Sequence, residues 1–495
     1  MAIIEITGNV QSRFIQAAVL LHLLDPVRGE PTTHGLDRDL NEFELNRERL
    51  LKRKFLDSFA LICATKKDGD TVSAASLEEG LPEGTVIRVA SNHGVTKATL
   101  CGLQELVSIL NAVASGECIA SHKESEVPAR IISLDIARIR YYLKELRSVS
   151  DNVKEAIGRF KSGTAYLQTD HSRSVNFTEW IAHVFEIRDL APDLAPNSCI
   201  LYQGPGVPSM GLPILKLGRY AVASMALLRL ASEFPSLFSP MLVEPAIAPQ
   251  KVQFTITKQE MPLTSVLRRL VTSSQVDDYI SRLARVWGVV DAEVHFREAC
   301  ALSLSVHAEM QLLNFYDHNP GRRPAFRFIG VSKKSCFLCQ RFLVNHPQAF
   351  GVSSCHQKLY LPWRPPPAAN ATIYRQYKSI TTDLSKDMEA AAKQELQNRL
   401  GLRRPVPPDS TAGVSLSGLS GEFVVGETLY ATSSLSPIDV VDLTSPDEEL
   451  SQSSFNISPV GDAFSIAKMV FHVMRPGETQ RQDIIAIRDI LLGEN

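Results

Sequence analysis

His307 and Glu309 stand two positions apart in the run VHAEM, and a Cys-x-x-Cys pair, Cys336 and Cys339, begins 29 positions after the histidine. One neutral imidazole and two thiolates are a common ligand set for zinc. Three protein ligands leave the fourth tetrahedral position open, which distinguishes a catalytic zinc from a structural one. Glu309 is not needed as a ligand, so its carboxylate is free to take a proton from water at the metal and pass it to a substrate nitrogen. Each piece alone has a plainer meaning: His-x-Glu recurs by chance on helices, and Cys-x-x-Cys also serves redox pairs and half of a structural zinc knuckle. A closed structural site, with Cys355 or His356 as the fourth ligand, is the competing arrangement.

The elements around these residues must bring them together. Ala308 to Tyr316 has helical apolar spacing and places His307 at its first turn. Ala325 to Val331 (AFRFIGV) reads as a strand, and Cys336 to Asn345 as a second helix with Ser332 or Ser335 as its cap. Both cysteines then lie in a first helical turn, where the dipole and a metal favour thiolate. Helix, strand and helix bring two helix N-termini to one sheet edge.

In these residues the sequence resembles the zinc-dependent deaminase superfamily, which includes cytidine and nucleic-acid deaminases and carries H-x-E…P-C-x-x-C. More narrowly, VHAEM-x-LL, FIGVSK-x-SC-x-x-C and S-x-CHQKLYLPW resemble the OTT-type, largely fungal, deaminase-like branch. The resemblance implies His307, Cys336 and Cys339 as zinc ligands and Glu309 as the proton shuttle. It implies hydrolysis of the exocyclic amine of cytosine or adenine, in nucleic acid or a nucleotide. His356 and Lys358 fall in a further family motif and are assigned to substrate contact. The proline usual before the first cysteine is Ser335 here.

The rest of the chain sets bounds. Its 495 residues, 44% hydrophobic and 21% charged, suit a soluble globular protein of several domains. A net charge of −2 gives no global attraction to nucleic acid or membrane. Eight cysteines spread over this length fit a reducing compartment rather than a disulfide framework. No run reaches the roughly 20 apolar residues of a membrane span, and no signal peptide is evident. The expected place is intracellular, in cytoplasm or nucleus.

Residues 1–250 read as a mainly α-helical N-terminal region of unassigned role, with Thr85 to Ala90 a short strand-like interruption. Residues 251–402 read as the zinc deaminase-like domain, an α/β layered sheet with flanking helices. Strands are expected at Lys251 to Thr257, within Val294 to Leu304 and at Lys358 to Leu361, and a long helix at Asn370 to Leu400. From Gly321 to Arg364 the chain carries Arg322, Arg323, Arg327, Lys333, Lys334, Arg341, Lys358 and Arg364 with no acid, and aromatics are interleaved. Such a stretch suits a phosphorylated substrate with stackable bases. Lys333 and Trp363 join His356 and Lys358 as candidate substrate contacts, although most such aromatics are core.

Residues 403–461 turn rich in Ser, Pro, Thr and Gly and read as a disordered linker. Inside it, Val440-Val441-Asp442-Leu443 followed by acidic residues resembles a SUMO-interaction motif, a strand that adds to a partner's sheet edge. SUMO, or a SUMO-modified protein, is the partner this implies. Residues 462–495 read as a folded strand-helix segment. An alternative to the enzyme is therefore a catalytically inactive, zinc-stabilised interaction protein recruited through this motif.

Overall fold

The computed structural model describes residues 3–33, 43–117, 126–163, 211–257 and 260–404. The Val440–Leu443 motif, the strand-helix segment at 462–495 and nearly all of the Pro/Gly-rich stretch at 190–211 lie outside the described residues.

The helices in chain order are α1 (Gly8–Leu24), α2 (Phe43–Cys63), α3 (Lys97–Ala114), α4 (Glu126–Gly163), α5 (Gly211–Glu233), α6 (Pro262–Leu270), α7 (Val276–Trp287), α8 (Ala292–Ala299), α9 (Ala308–His318), α10 (Phe337–Asn345) and α11 (Ala371–Asn398). The central sheet consists of β1 (Ser73–Leu81), β2 (Gly84–Ser91), β3 (Met241–Pro245), β4 (Phe328–Val331) and β5 (Gly351–Val352), in the order β3-β2-β1-β4-β5. The strand β1 runs antiparallel to both neighbours, Ser73 facing Ser91 and Ala75 facing Gly330, while the outer pairs are parallel. The fold is thus a mixed α/β layer with a helical N-terminal region, and the sheet takes strands from both sides of residue 250.

Alternation along the strands decides the two cores. Ala75, Leu77, Ile87 and Val89 point to one face and pack with α2, α3, α4 and α5. Ala74, Ala90, Ile329 and Val331 point to the other and pack with α1 and with α6 to α11. The candidate donors Cys336 and Cys339 belong to this second layer.

Several expectations meet a different local structure. Within Val294 to Leu304 only Leu302–Leu304 is a strand, because the Asp291 side chain caps Glu293 N–H and Val294 N–H and starts α8 there. Lys358 to Leu361 makes no strand, only a bridge from Lys358 to Val27. The central strand β1 was not legible at all. Its Glu78 looks like a solvent residue, yet it is buried, receives two hydrogen bonds from Arg88 at 2.8 and 3.0 Å, and accepts a third from Tyr316 Oη at 3.1 Å.

One buried acid ties α2 to the strand that leads into the site. Asp57 Oδ1 accepts from Val331 N–H at 2.9 Å and from Ser353 Oγ at 3.2 Å, and burial pushes its carboxyl up to about 7. Between its ordinary pKa and that value, the folded state holds a proton the unfolded chain has released, so stability falls as pH rises from about 4 to about 7. Asp57→Asn keeps the acceptor and removes this dependence. Its melting temperature should exceed the wild type's at pH 8, a gain on the order of 4 kcal/mol, and the gap should close toward pH 4. Calorimetry across that range checks it, and a gap that does not change with pH would refute it.

Candidate metal centre and its surroundings

Each ligand candidate sits at a helix start. His307 is the N-cap of α9 in extended conformation, with Gln311 N–H closing the first turn on its carbonyl. Cys336 is the N-cap of α10, and its sulfur accepts from Cys339 N–H at 3.4 Å. Helix α10 therefore begins at Phe337, with Cys336 itself as cap in place of the two serines. The His307 Nδ1 lies 3.6 Å from Cys336 Sγ and 3.4 Å from Cys339 Sγ, and the three donor atoms fall within 4.8 Å of one another.

These spacings allow a test of fit. A tetrahedral ion with zinc–nitrogen and zinc–sulfur bonds of ordinary length separates nitrogen from sulfur by roughly 3.5 Å. Both nitrogen–sulfur spacings thus suit zinc. Neither proposed fourth ligand joins the group among the described residues. Cys355 is buried with its thiol pushed up to about 12 by burial, and its sulfur accepts from Gln357 N–H. His356 turns Nδ1 to Lys358 N–H at 3.0 Å.

The electrostatics of the three donors are linked. Burial works against the Cys336 thiolate, but hydrogen bonding from Cys339 and the charge of His307 bring it well below the usual thiol range. Burial, reinforced by that thiolate, holds Cys339 well above it. Burial alone would lower the His307 imidazole, yet Cys336 and Glu309 leave it raised. A metal ion entering this site displaces the remaining protons.

Glu309 lies in the first turn of α9, only 5% exposed, and accepts from Ser335 Oγ at 2.8 Å. Burial raises its carboxyl, with His307 and the Ser335 hydroxyl opposing. The serine that replaces the usual proline therefore supplies a hydrogen bond that a proline lacks. A second support comes from far upstream. Asn92 Oδ1 accepts from Ala308 N–H at 2.8 Å, satisfying a free donor of the α9 start, while Asn92 Nδ2 donates to Gly69 O at 2.8 Å. Nothing in the local sequence marks Asn92, which lies over 200 positions before its partner; Ser335 was visible as a departure from the motif, but its partner was not.

The four residues assigned to substrate contact occupy different places. Trp363 is fully buried, packed against Phe14 and Phe342, and its indole N–H donates to Cys339 Sγ at 3.3 Å. It therefore stands behind a ligand, with no face open to a base. His356 is buried against Tyr360, and burial lowers its imidazole to about 4, so it is neutral. Lys358 is half-buried, and its carbonyl accepts from Phe337 N–H at the start of α10. Lys333 is half-buried in the β4–α10 loop, its Nζ 2.8 Å from Asp68 O.

Tertiary structure also dissolves much of the basic stretch. Arg322 pairs with Glu78 and Glu83, Arg341 with Asp387, and Arg364 with Glu5. Arg323 lies 3.9 Å from Asp317, and Arg327 donates to Gln348 O. Part of the charge that looks concentrated along the chain is thus neutralised across it.

An indole N–H on a metal-bound sulfur tunes that ligand from outside the coordination shell. Trp363→Phe should lower zinc affinity by about 10- to 100-fold while the protein stays folded. Competition with a chromophoric chelator measures it; unchanged affinity would show that the indole is packing alone.

Residues 306–367 match the family of OTT_1508_deam-like deaminases. No curated protein and no solved structure matches the chain. The matched segment contains all three donors, Glu309, Ser335 and Trp363, so this part of the chain is deaminase-like. Among the described residues, no helix is long and apolar enough to cross a membrane.

Proposed function

We propose that this deaminase-like protein is a zinc-dependent hydrolase that removes the exocyclic amine of a nucleobase, cytosine or adenine, carried in nucleic acid or a nucleotide. The observation that carries the reading is the buried Glu309 carboxylate, fixed by Ser335 next to a His-Cys-Cys triangle of zinc dimensions with neither Cys355 nor His356 closing it.

Bound zinc would supply the Lewis acidity that makes water a nucleophile near neutral pH. His307, Cys336 and Cys339 would hold it. Glu309 takes the proton lost by water and delivers it to the amine nitrogen, which leaves as ammonia while the ring carbon becomes a carbonyl. The raised carboxyl of Glu309 suits a group that must both accept and return a proton. Ser335 and the Asn92 cap keep the carboxylate and its helix start in place. A base inside a duplex has to be flipped out or already unpaired to reach such a site.

The test is mass spectrometry of nucleosides, nucleotides and single-stranded oligonucleotides incubated with zinc-loaded protein. Amine-to-carbonyl exchange adds about one dalton. Zinc-loaded protein that leaves every such substrate unchanged would overturn the reading and favour a zinc-stabilised interaction protein.

A further inference from the structure

The sheet end that carries the metal ligands has a second feature, built by the opposite helical layer. The segment after α2 runs along this end into β1: Ser332 N–H donates to Ser73 O, and Asn92 links Gly69 to the α9 start. Four cations converge on it from four separate elements. Lys67 lies 3.8 Å from the Tyr141 ring centroid and 5.8 Å from that of Tyr142. Lys216 of α5 lies 5.3 Å from the Tyr142 ring, and the Arg138 guanidinium 6.0 Å from it. Lys333, three positions before Cys336, reaches the same segment at Asp68 O.

Backbone carbonyls, rather than carboxylates, hold two of these charges. Arg138, almost fully buried, donates to Ala64 O at 2.7 Å and Leu61 O at 3.2 Å. Lys333 has its amine lowered to about 8, by burial first and then by Arg138, with Asp68 opposing and Lys67 and Lys216 adding to the shift. Glu145 pairs with Lys67 at 2.6 Å, Asp68 accepts from Thr71 N–H and Oγ1 and also attracts Lys333, and burial pushes the Asp135 carboxyl well above its usual range. Like charges gathered this closely repel one another, and an anion relieves the repulsion. Tyr141, 43% exposed with Lys67 over its ring, adds an aromatic surface to the patch.

We propose that Lys67, Arg138, Lys216 and Lys333 form a phosphate site at the rim of the metal centre, so that the nucleobase arrives on a phosphorylated carrier. The substrate part of this inference rests on the deaminase reading; the phosphate site does not. Lys67 and Lys333 contact the phosphate, and Arg138 contributes charge from beneath. Monoester and diester phosphates share this chemistry, and the experiment separates them.

The full-length, zinc-loaded protein is titrated against a fluorescein-labelled, mixed-sequence single-stranded oligonucleotide, read by anisotropy at several salt concentrations. Inorganic phosphate, cytidine 5′-monophosphate and cytidine serve as competitors, with direct calorimetric titration of the monophosphate alongside. Lys67→Gln and Lys333→Gln should each weaken binding about tenfold and reduce the slope of log affinity against log salt by about one. Lys386→Gln, on an exposed turn of α11 beside Asp383, should change neither. Tight binding of the monophosphate identifies a monoester carrier; binding of the oligonucleotide alone identifies a diester one. Lysine variants that bind like wild type, or cytidine competing as well as its monophosphate, would overturn the site. Binding is read without turnover, so the two failures are distinct. Phosphate binding without any deamination removes the enzyme, whereas deamination of free nucleosides without phosphate binding removes the site.

Discussion

Glu309→Gln should keep its zinc and lose deamination by about 10²- to 10⁴-fold, the range associated with removing a positioned acid–base group. The amide fills the same space and can still accept from Ser335 Oγ, so the start of α9 and the donor triangle should survive. What it cannot do is take a proton from water and return it to a leaving nitrogen. Metal analysis of the purified variant should give the wild-type zinc content, and the mass-shift assay should give the lost turnover. Cys339→Ser, in contrast, should lose zinc and turnover together, because it removes one of three donors. A Glu309→Gln protein that deaminates at the wild-type rate would remove the carboxylate from the chemistry and leave only a metal site.

Gly330→Ala should lower stability by about 3 kcal/mol and reduce zinc occupancy as well. Gly330 lies in β4, opposite Ala75 of the central strand, where α2 crosses the sheet. A methyl group there would run into the backbone of Leu56 and come within 2.6 Å of Asp57 N. Helix backbone cannot rotate aside as a side chain can, so α2 or β4 must shift. Either shift breaks the hydrogen bond from Val331 N–H to Asp57 Oδ1. Because β4 leads through Ser335 to Cys336, the disturbance reaches the donors. Urea unfolding monitored by fluorescence and zinc content in the same preparation measure both effects. An unchanged midpoint with full zinc would show that α2 is not held against the strand this closely.

The two outcomes probe different kinds of information. Glu309 can be picked out from the sequence because its chemistry depends on residue type and short spacing. His-x-Glu puts an acid in the first turn of a helix capped by the histidine, and Cys-x-x-Cys puts both sulfurs at one helix start. Helix period and capping act within a few residues, so α9, α10 and α11 follow the apolar spacing with small shifts at their ends. The strand between the two ligand helices follows for the same reason.

Gly330 belongs to the other kind. Its need for a missing side chain comes from a helix some 270 positions upstream, as does the raised Asp57. Strand β1, rich in alanine and serine and carrying two glutamates, gives no strand signal of its own. It becomes central because β2 and β4 pair with it and because Arg88 and Tyr316 satisfy Glu78 in the interior. Trp363, whose type suggests a stacking surface, is turned inward onto a cysteine sulfur by the packing of α1 and α10.

What the amino-acid order by itself determined is the candidate donor set, the adjacent acid and the helices that carry them, since those rest on chemistry and periodicity over short spans. Tertiary structure alone decided that neither Cys355 nor His356 joins the three donors, that Ser335 and Asn92 brace the acid's helix, and that most of the arginines between 321 and 364 are spent on distant partners. The reason is range: hydrogen bonds, ion pairs and steric contacts act only over a few ångströms in space, and which residues lie that close is set by the sheet order rather than by the chain.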